Sequence, residues 1–262
     1  MSDFKIRKEV RDAYGDIAQG SNRSCCGNSS CCSHGDSSKA PGYSEDDLKA
    51  VPEGGDLGLG CGNPVALASL NEGELVIDLG SGTGIDCFLA SRKVGRAGKV
   101  IGIDMTPEML EKARENQGKG DFGNVEFGLG EIENLPAADN IADVVISNCV
   151  INLSTDKARV FTEIFRVLKR GGRIMVSDIV MLKPLPPAIK HSTAAYIGCI
   201  AGAALKEEYL EVIKAAGFKE VEIMDEAPLS IGYTSDDPSI SYDMLKQVAA
   251  AVASIEVKGQ KG

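Results

Sequence analysis

Five short runs rich in β-branched residues recur along the middle of the chain: LVIDL at 75–79, KVIGID at 99–104, NVEFGLG at 124–130, ADVVISN at 142–148 and GRIMVSDI at 172–179. Runs of this length and composition predict strands, and the segments between them carry helical periodicity. Thr106 can cap a helix that has Pro107 at its first position. Phe161, Ile164, Phe165 and Leu168 fall at i, i+3, i+4 and i+7 ahead of a stop at Gly171 and Gly172. Strands alternating with helices predict a parallel sheet, a doubly wound α/β domain.

The flanks read differently. Residues 1 to 18 predict a charged helix, and residues 20–42, with SCCGNSSCC at 24–32, predict a flexible cysteine-bearing segment in which no core forms. After Pro184 the pattern predicts helices over 194–204 and 206–216, a strand near 219–224 and a last helix over 242–257. The division is therefore residues 1–42 as helix and cysteine-rich segment, 43–183 as the ligand-binding α/β domain, and 184–262 as a small carboxyl-terminal region.

Composition narrows the partners. With 262 residues, 43% hydrophobic and 25% charged, the chain suits a soluble globular protein with an ample core. The opening MSDFKIRKEVRD has no apolar run, so no secretory signal is expected there. Residues 194–205 fall well short of the ~20 needed to cross a bilayer. No membrane partner is expected, and the expected location is the cytoplasm. There, eight cysteines are expected as reduced thiols, metal ligands or transient redox groups rather than permanent staples. A net charge of -10 repels a phosphate backbone, so nucleic acid is not expected as a partner.

The most informative loop is DLGSGTG at 78–84, which leaves the first strand and opens a helix. Ligands in such folds bind at the carboxyl ends of the strands. Asp104, with Met105 beside it, ends the next strand, where a carboxylate can take both hydroxyls of a ribose. Gly80, Gly82 and Gly84 are spaced G-x-G-x-G with Asp78 two residues ahead, unlike the G-x-G-x-x-G that aims a helix at a pyrophosphate. S-adenosylmethionine has an ammonium and a sulfonium but no phosphate, so its loop needs close backbone approach and a carboxylate such as Asp78. The reading is S-adenosylmethionine rather than NAD. In GEIENLP at 130–136, Glu131 can accept from an adenine amino group and Ile132 can cover its face. The competing reading makes Glu131 and Glu133 solvated loop carboxylates.

The acceptor is approached through SNCVINL at 147–153, which follows the fourth strand where a reactive methyl should face its target. Methylases of amino groups in nucleic acids and glutamine carry a (D/N)PP(Y/F)-type motif there; this chain has Asn148, Cys149, Val150 and Ile151. Neither of its two histidines, His34 and His191, lies in a motif that marks a general base, which methylation of a hydroxyl often needs. An acceptor with its own lone pair, held by thiolates, would not need one. Besides Cys25, Cys26, Cys31 and Cys32, the chain has Cys61 in GLGCGNP, Cys149, and Cys199 in YIGCIAGA. Cys87 reads as a small buried hydrophobe. The C-C-x4-C-C run does not match the C-x2-C spacing of zinc sites.

Taken together, GLGCGNPVALASL, DLGSGTGIDCFLA, VIGIDMTPEML, GEIENLP, SNCVINLS, FRVLKRGGRI and CIAGAAL resemble the arsenite S-adenosylmethionine methyltransferases, over residues 14–223. The resemblance implies a Rossmann-like class I methyltransferase fold. It implies a cofactor site at Asp78, Gly80, Gly82, Gly84, Asp104, Met105, Glu131, Ile132 and Asn148. It further implies that Cys61, Cys149 and Cys199, with one of Cys25, Cys26, Cys31 and Cys32, are arsenic-binding and redox thiols. Trivalent arsenic is then the substrate, detoxification the outcome, and glutathione, thioredoxin or a similar thiol the reductant. Two other readings stand beside it. A methyltransferase with an organic acceptor would not need Cys149 or Cys199, and a thiol-based metalloid-binding protein would not need the glycine loop.

Overall fold

The computed structural model describes residues 3–20, 42–229 and 242–262. Strands β1 (Leu75–Leu79), β2 (Lys99–Asp104), β3 (Val125–Leu129), β4 (Ala142–Asn148) and β5 (Leu168–Met181) run parallel. β7 (Val252–Lys261) enters antiparallel between β5 and β6 (Phe218–Pro228), which gives the order β3-β2-β1-β4-β5-β7-β6. The chain order reverses between β1 and β4, the position at which a doubly wound sheet opens a crevice at its carboxyl edge.

Alternation along the strands builds a core on each face. Val76, Val100, Val144 and Ile146 meet Cys87 and Phe88 of α4 (Ile85–Val94) on one face. Ile77, Leu79 and Val145 meet Val160, Phe161 and Ile164 of α6 (Lys157–Val167) and Tyr209 of α9 (Lys206–Ala215) on the other. Each such side chain contributes about 1.5–3 kcal/mol by leaving water.

The predicted stripe on α6 holds for Phe161 and Ile164, both fully buried, while Phe165 is half-buried edge-on to Phe218. The helix ends at Val167, before the expected Gly171 stop. Leu168 already belongs to β5, and Gly171, at φ 76°, turns the chain within that strand's irregular start.

The carboxyl-terminal expectations need correction. The helix predicted over 194–204 is reduced to α8 (Thr193–Ile197), followed by turns. The helix predicted over 242–257 stops at Ala249, as α10 (Tyr242–Ala249), and the β-branched run after it becomes β7. Sandwiched between β5 and β6, Val252 to Ile255 are all buried, and backbone pairing inside the sheet overrides the local helical reading.

The helix predicted over residues 1–18 is α1 (Asp3–Ala18), and it joins the core through one buried side chain. Val10 is 1% exposed and packs with Cys149, Leu153, Ile179, Ile189, Cys199 and Ile200, in a third apolar cluster at the carboxyl edge of the sheet. None of the described helices is long and apolar enough to cross a membrane.

Candidate functional site

The turn after β1 is shaped by backbone that only glycine adopts readily. Gly80 has φ 66°, and a Cβ there would approach Val150 to 2.5 Å. Gly82 has φ 52° with open space where its Cβ would be, so the loop presents bare backbone to the pocket it lines. Asp104 ties this loop to β2: its Oδ2 accepts from the Gly82 N–H at 2.9 Å and its Oδ1 from the Thr106 N–H at 2.8 Å. Burial pushes the Asp104 carboxyl up, and those backbone bonds oppose the shift. Each oxygen keeps a lone pair for a ligand hydroxyl. Thr106 does occupy the cap position of α5 (Pro107–Gln117), but its side chain makes no capping bond and bonds Asp104 instead.

The pocket above this loop is walled by Gly80, Gly82, Asp104, Met105, Ile132 and Asn148, six of the residues singled out from sequence. Asp78, Gly84 and Glu131 stand apart from that wall; Gly84, at φ 102°, faces Phe88 and Phe127. Asp78 is 2% exposed and accepts the Cys87 thiol at 3.2 Å; burial and the neighbouring Asp86 charge push its carboxyl well up. Glu131 turns to Arg7 of α1, whose Nη1 donates to it at 3.3 Å, while Arg7 Nη2 meets Glu133 at 3.3 Å. Arg7, Val10 and Tyr14 of α1 roof the pocket.

Among the wall residues that escaped the sequence reading, Tyr43, Asp86 and Arg7 are polar side chains that matter for a charged ligand. Asp86 is 4% exposed and accepts from Tyr43 Oη at 2.8 Å and from Asn148 Nδ2 at 3.2 Å. Burial raises its carboxyl to about 6 against those two bonds. An acid two residues past the glycine loop was a signal for it; nothing local pointed to Tyr43.

Beside the pocket, the structure gathers three of the four described cysteines. Cys61 and Cys149 are bridged, with Cα atoms 5.8 Å apart, and the Cys199 thiol donates to the Cys149 carbonyl at 2.8 Å. Of the three expected states, reduced thiols, metal ligands or transient redox groups, this pair is found in the oxidised form. Cys149 and Cys199 take the left-handed backbone region, at φ 58° and 61°, which costs a non-glycine residue about 1–3 kcal/mol and clusters at functional sites. Cys87 is fully buried in the core. Cys25, Cys26, Cys31 and Cys32 lie outside the described residues.

Asp178, inside β5 between Ser177 and Ile179, was also missed. One of its carboxylate oxygens and the Cys61 and Cys149 sulfurs lie within 4.8 Å of one another. It is fully buried, accepts from Asn152 Nδ2 at 2.8 Å and Tyr209 Oη at 3.1 Å, and burial raises its carboxyl to about 7 despite the nearby Lys157 charge. With the bridge reduced, two thiols and a carboxyl beside this acidic pocket can hold a soft ion.

Comparison with known proteins places these features in a lineage. The methyltransferase domain family matches residues 70–217. The chain is 49% identical over 230 residues to an arsenite methyltransferase of Halobacterium salinarum, covering 84% of this chain and 59% of that protein. It is 35% identical over 234 residues to an arsenite methyltransferase of Aquipseudomonas alcaligenes, covering 86% and 66%. The chain thus spans about three-fifths of the length of these curated relatives. The crystal structure of an arsenic(III) S-adenosylmethionine methyltransferase from Chlamydomonas reinhardtii superimposes with a TM-score of 0.67 at 30% identity, covering 87% of this chain and 74% of that one.

Proposed function

The chain belongs to the arsenite S-adenosylmethionine methyltransferase family, and from that membership we propose that it transfers methyl groups from S-adenosylmethionine to trivalent arsenic held by its cysteine thiolates. The observation that carries this reading is the convergence of Cys61, Cys149 and Cys199 beside the glycine-loop pocket.

The residues of the pocket fit a cationic nucleoside. Asp86 and Asp104 line it, Asp78 is buried behind it, and the pocket's one lining cation among the described residues, Arg7, is paired with Glu131 and Glu133. Buried carboxylates without a counter-charge favour a ligand that brings one. When bound, S-adenosylmethionine supplies an electrophilic methyl on a sulfonium. Asp104 holds the ribose hydroxyls, the Gly80 to Gly84 backbone allows close approach, and Ile132 covers one face of the adenine. Met105 and Val150 exclude water from the wall.

On the acceptor side, the reduced thiols of Cys61, Cys149 and Cys199 exchange with the hydroxyls of arsenite, releasing water and leaving arsenic pyramidal with its lone pair free. Their role is proximity and orientation rather than proton transfer. Each methylation raises arsenic formally by two oxidation units, and two thiols closing to one disulfide return two electrons and release two protons. The Cys61–Cys149 bridge suits such a donor pair, and a small thiol or thioredoxin reopens it by exchange. One of the cysteines at 25–32 serves as a further thiol, and the cytoplasm is the compartment that keeps such a cycle supplied with reductant.

Incubating the purified protein with arsenite, S-adenosylmethionine and glutathione, then separating arsenic species by chromatography, tests this. Methylated arsenicals that depend on all three components are the expected result. Unchanged arsenite would overturn the reading.

A further inference from the structure

Asp86 is a buried carboxylate in the wall of the pocket, in the first turn of α4. Its hydrogen-bond donors, Tyr43 Oη and Asn148 Nδ2, are both neutral. The charges that act on it are acidic: Asp56, which also lines the pocket, Glu256, and Asp78 of β1. The amino end of α4 offers only a partial positive charge. A carboxylate withdrawn from water with two neutral donors retains accepting lone pairs and an uncompensated charge, both of which a ligand ammonium group satisfies. A sulfonium carries charge but no N–H, so it satisfies the first need and not the second. Asp104 is already committed to the loop and the ribose side. Asp78, the acid ahead of the glycine loop, does not reach the wall and is engaged by the Cys87 thiol.

We infer that Asp86 takes the ammonium group of the bound nucleoside cofactor, with Tyr43 and Asn148 as positioning residues that hold its carboxylate in the pocket wall. The inference rests on the S-adenosylmethionine reading above. It also joins the two halves of the site. Asn148 donates to Asp86 and to Tyr43, while its Oδ1 accepts from the Cys61 N–H at 2.9 Å. One amide therefore references both the amino-acid end of the cofactor and the loop that carries an arsenic thiol.

The test is a calorimetric cycle with two non-reacting ligands, S-adenosylhomocysteine and its analogue with the amino group replaced by hydrogen. Asp86→Asn should weaken S-adenosylhomocysteine by about ten- to a hundredfold, the range of a charge-assisted hydrogen bond, and leave the deaminated analogue within about twofold. Tyr43→Phe should give a smaller loss with the same selectivity, and Asp78→Asn should show no selectivity between the two ligands. If the Asn variant does not fold, Asp86→Glu carries the same cycle, with the amino-dependent preference reduced because the charge is displaced by one methylene. Equal weakening of both ligands, or a selective loss on Asp78→Asn instead, would overturn the assignment while leaving the function intact. Failure of the unmodified protein to bind S-adenosylhomocysteine at all would overturn the functional reading and this inference with it.

Discussion

The Cys61 amide donates to Asn148 Oδ1 over 2.9 Å, so the residue that closes β4 holds the loop bearing one half of the disulfide. The approach is close: a Cβ at Gly60 would meet the Asn148 side chain at 2.7 Å. Asn148 Nδ2 reaches the Gly62 carbonyl at 2.8 Å as well, which closes the loop around Cys61 from both sides. Asn148→Ala strands these groups, and is expected to cost about 1–3 kcal/mol of stability. That corresponds to roughly 2–4 °C per kcal/mol in the melting temperature of a chain this size. Differential scanning calorimetry checks the stability, and arsenite titration of the reduced variant should show weaker binding.

The Cys61–Cys149 bridge predicts a redox requirement. Oxidised protein should not bind arsenite until a reductant opens the bridge, and alkylation of the reduced thiols should abolish arsenite binding while leaving cofactor affinity largely intact. Equilibrium dialysis with arsenic quantification reads both arms. Full arsenite binding by alkylated protein would rule out thiolate ligation.

The cysteines should separate by ligand count. Arsenite has three exchangeable oxygens and monomethylarsenite two. Cys149→Ser or Cys199→Ser should abolish methylation of both, since serine oxygen is a hard and poor ligand for soft arsenic. Cys61→Ser should stop the first step and leave the second measurable. Single-turnover assays on each substrate, with thermal melts to control for folding, test the division; equal loss of both steps in folded Cys61→Ser would refute it.

Asp104→Ala removes the acceptor for two backbone N–H groups as well as the ribose contact. Cofactor affinity should fall by about ten- to a hundredfold, corresponding to ~1.5–3 kcal/mol. Asp104→Asn, which keeps one acceptor oxygen, should lose less. Calorimetric titration with S-adenosylmethionine measures both.

Asp178 should leave a signature in the pH dependence of stability. Burial raises its folded carboxyl to about 7, above the ~3.9 of an unfolded aspartate. The folded state therefore binds more protons between those values, and Asp178's contribution is fully present below about pH 4 and lost as pH rises through about 7. Asp178→Asn, which cannot titrate, should flatten the fall in stability over that window by an amount on the order of a few kcal/mol. Urea unfolding of both proteins from pH 4 to 8 provides the comparison. Parallel curves would mean that Asp178 keeps an ordinary carboxyl.

Much of the fold was legible because its determinants are local. The β-branched runs at 75–79, 99–104 and 142–148 became β1, β2 and β4 with the bounds read from sequence. Fully buried parallel strands need continuous apolar stretches, and few other structures do. Where tertiary pairing competes with local pattern, the reading failed. Residues 252–257 could have continued a helix, and the open strip between β5 and β6 draws them into the sheet.

The chain by itself determined the cofactor loop and the identity of the thiols. Gly80 and Gly82 must occupy left-handed backbone, Asp104 must end the strand beside them, and cysteine supplies soft anionic ligands; each is a property of a residue and its immediate neighbours. Only the tertiary structure decided which groups meet. Cys61 and Cys149 are 88 residues apart, and Asp178 reaches their sulfurs from a third element. Asp86 is bonded by Tyr43, which arrives from 43 residues away, while Asp78, better marked by motif, is withdrawn from the wall and engaged by Cys87. Sequence spacing carries no distance once strands stack side by side: contacts across the sheet edge depend on strand order and on the packing of helices such as α1 over it, and those are set by burial of the whole core at once.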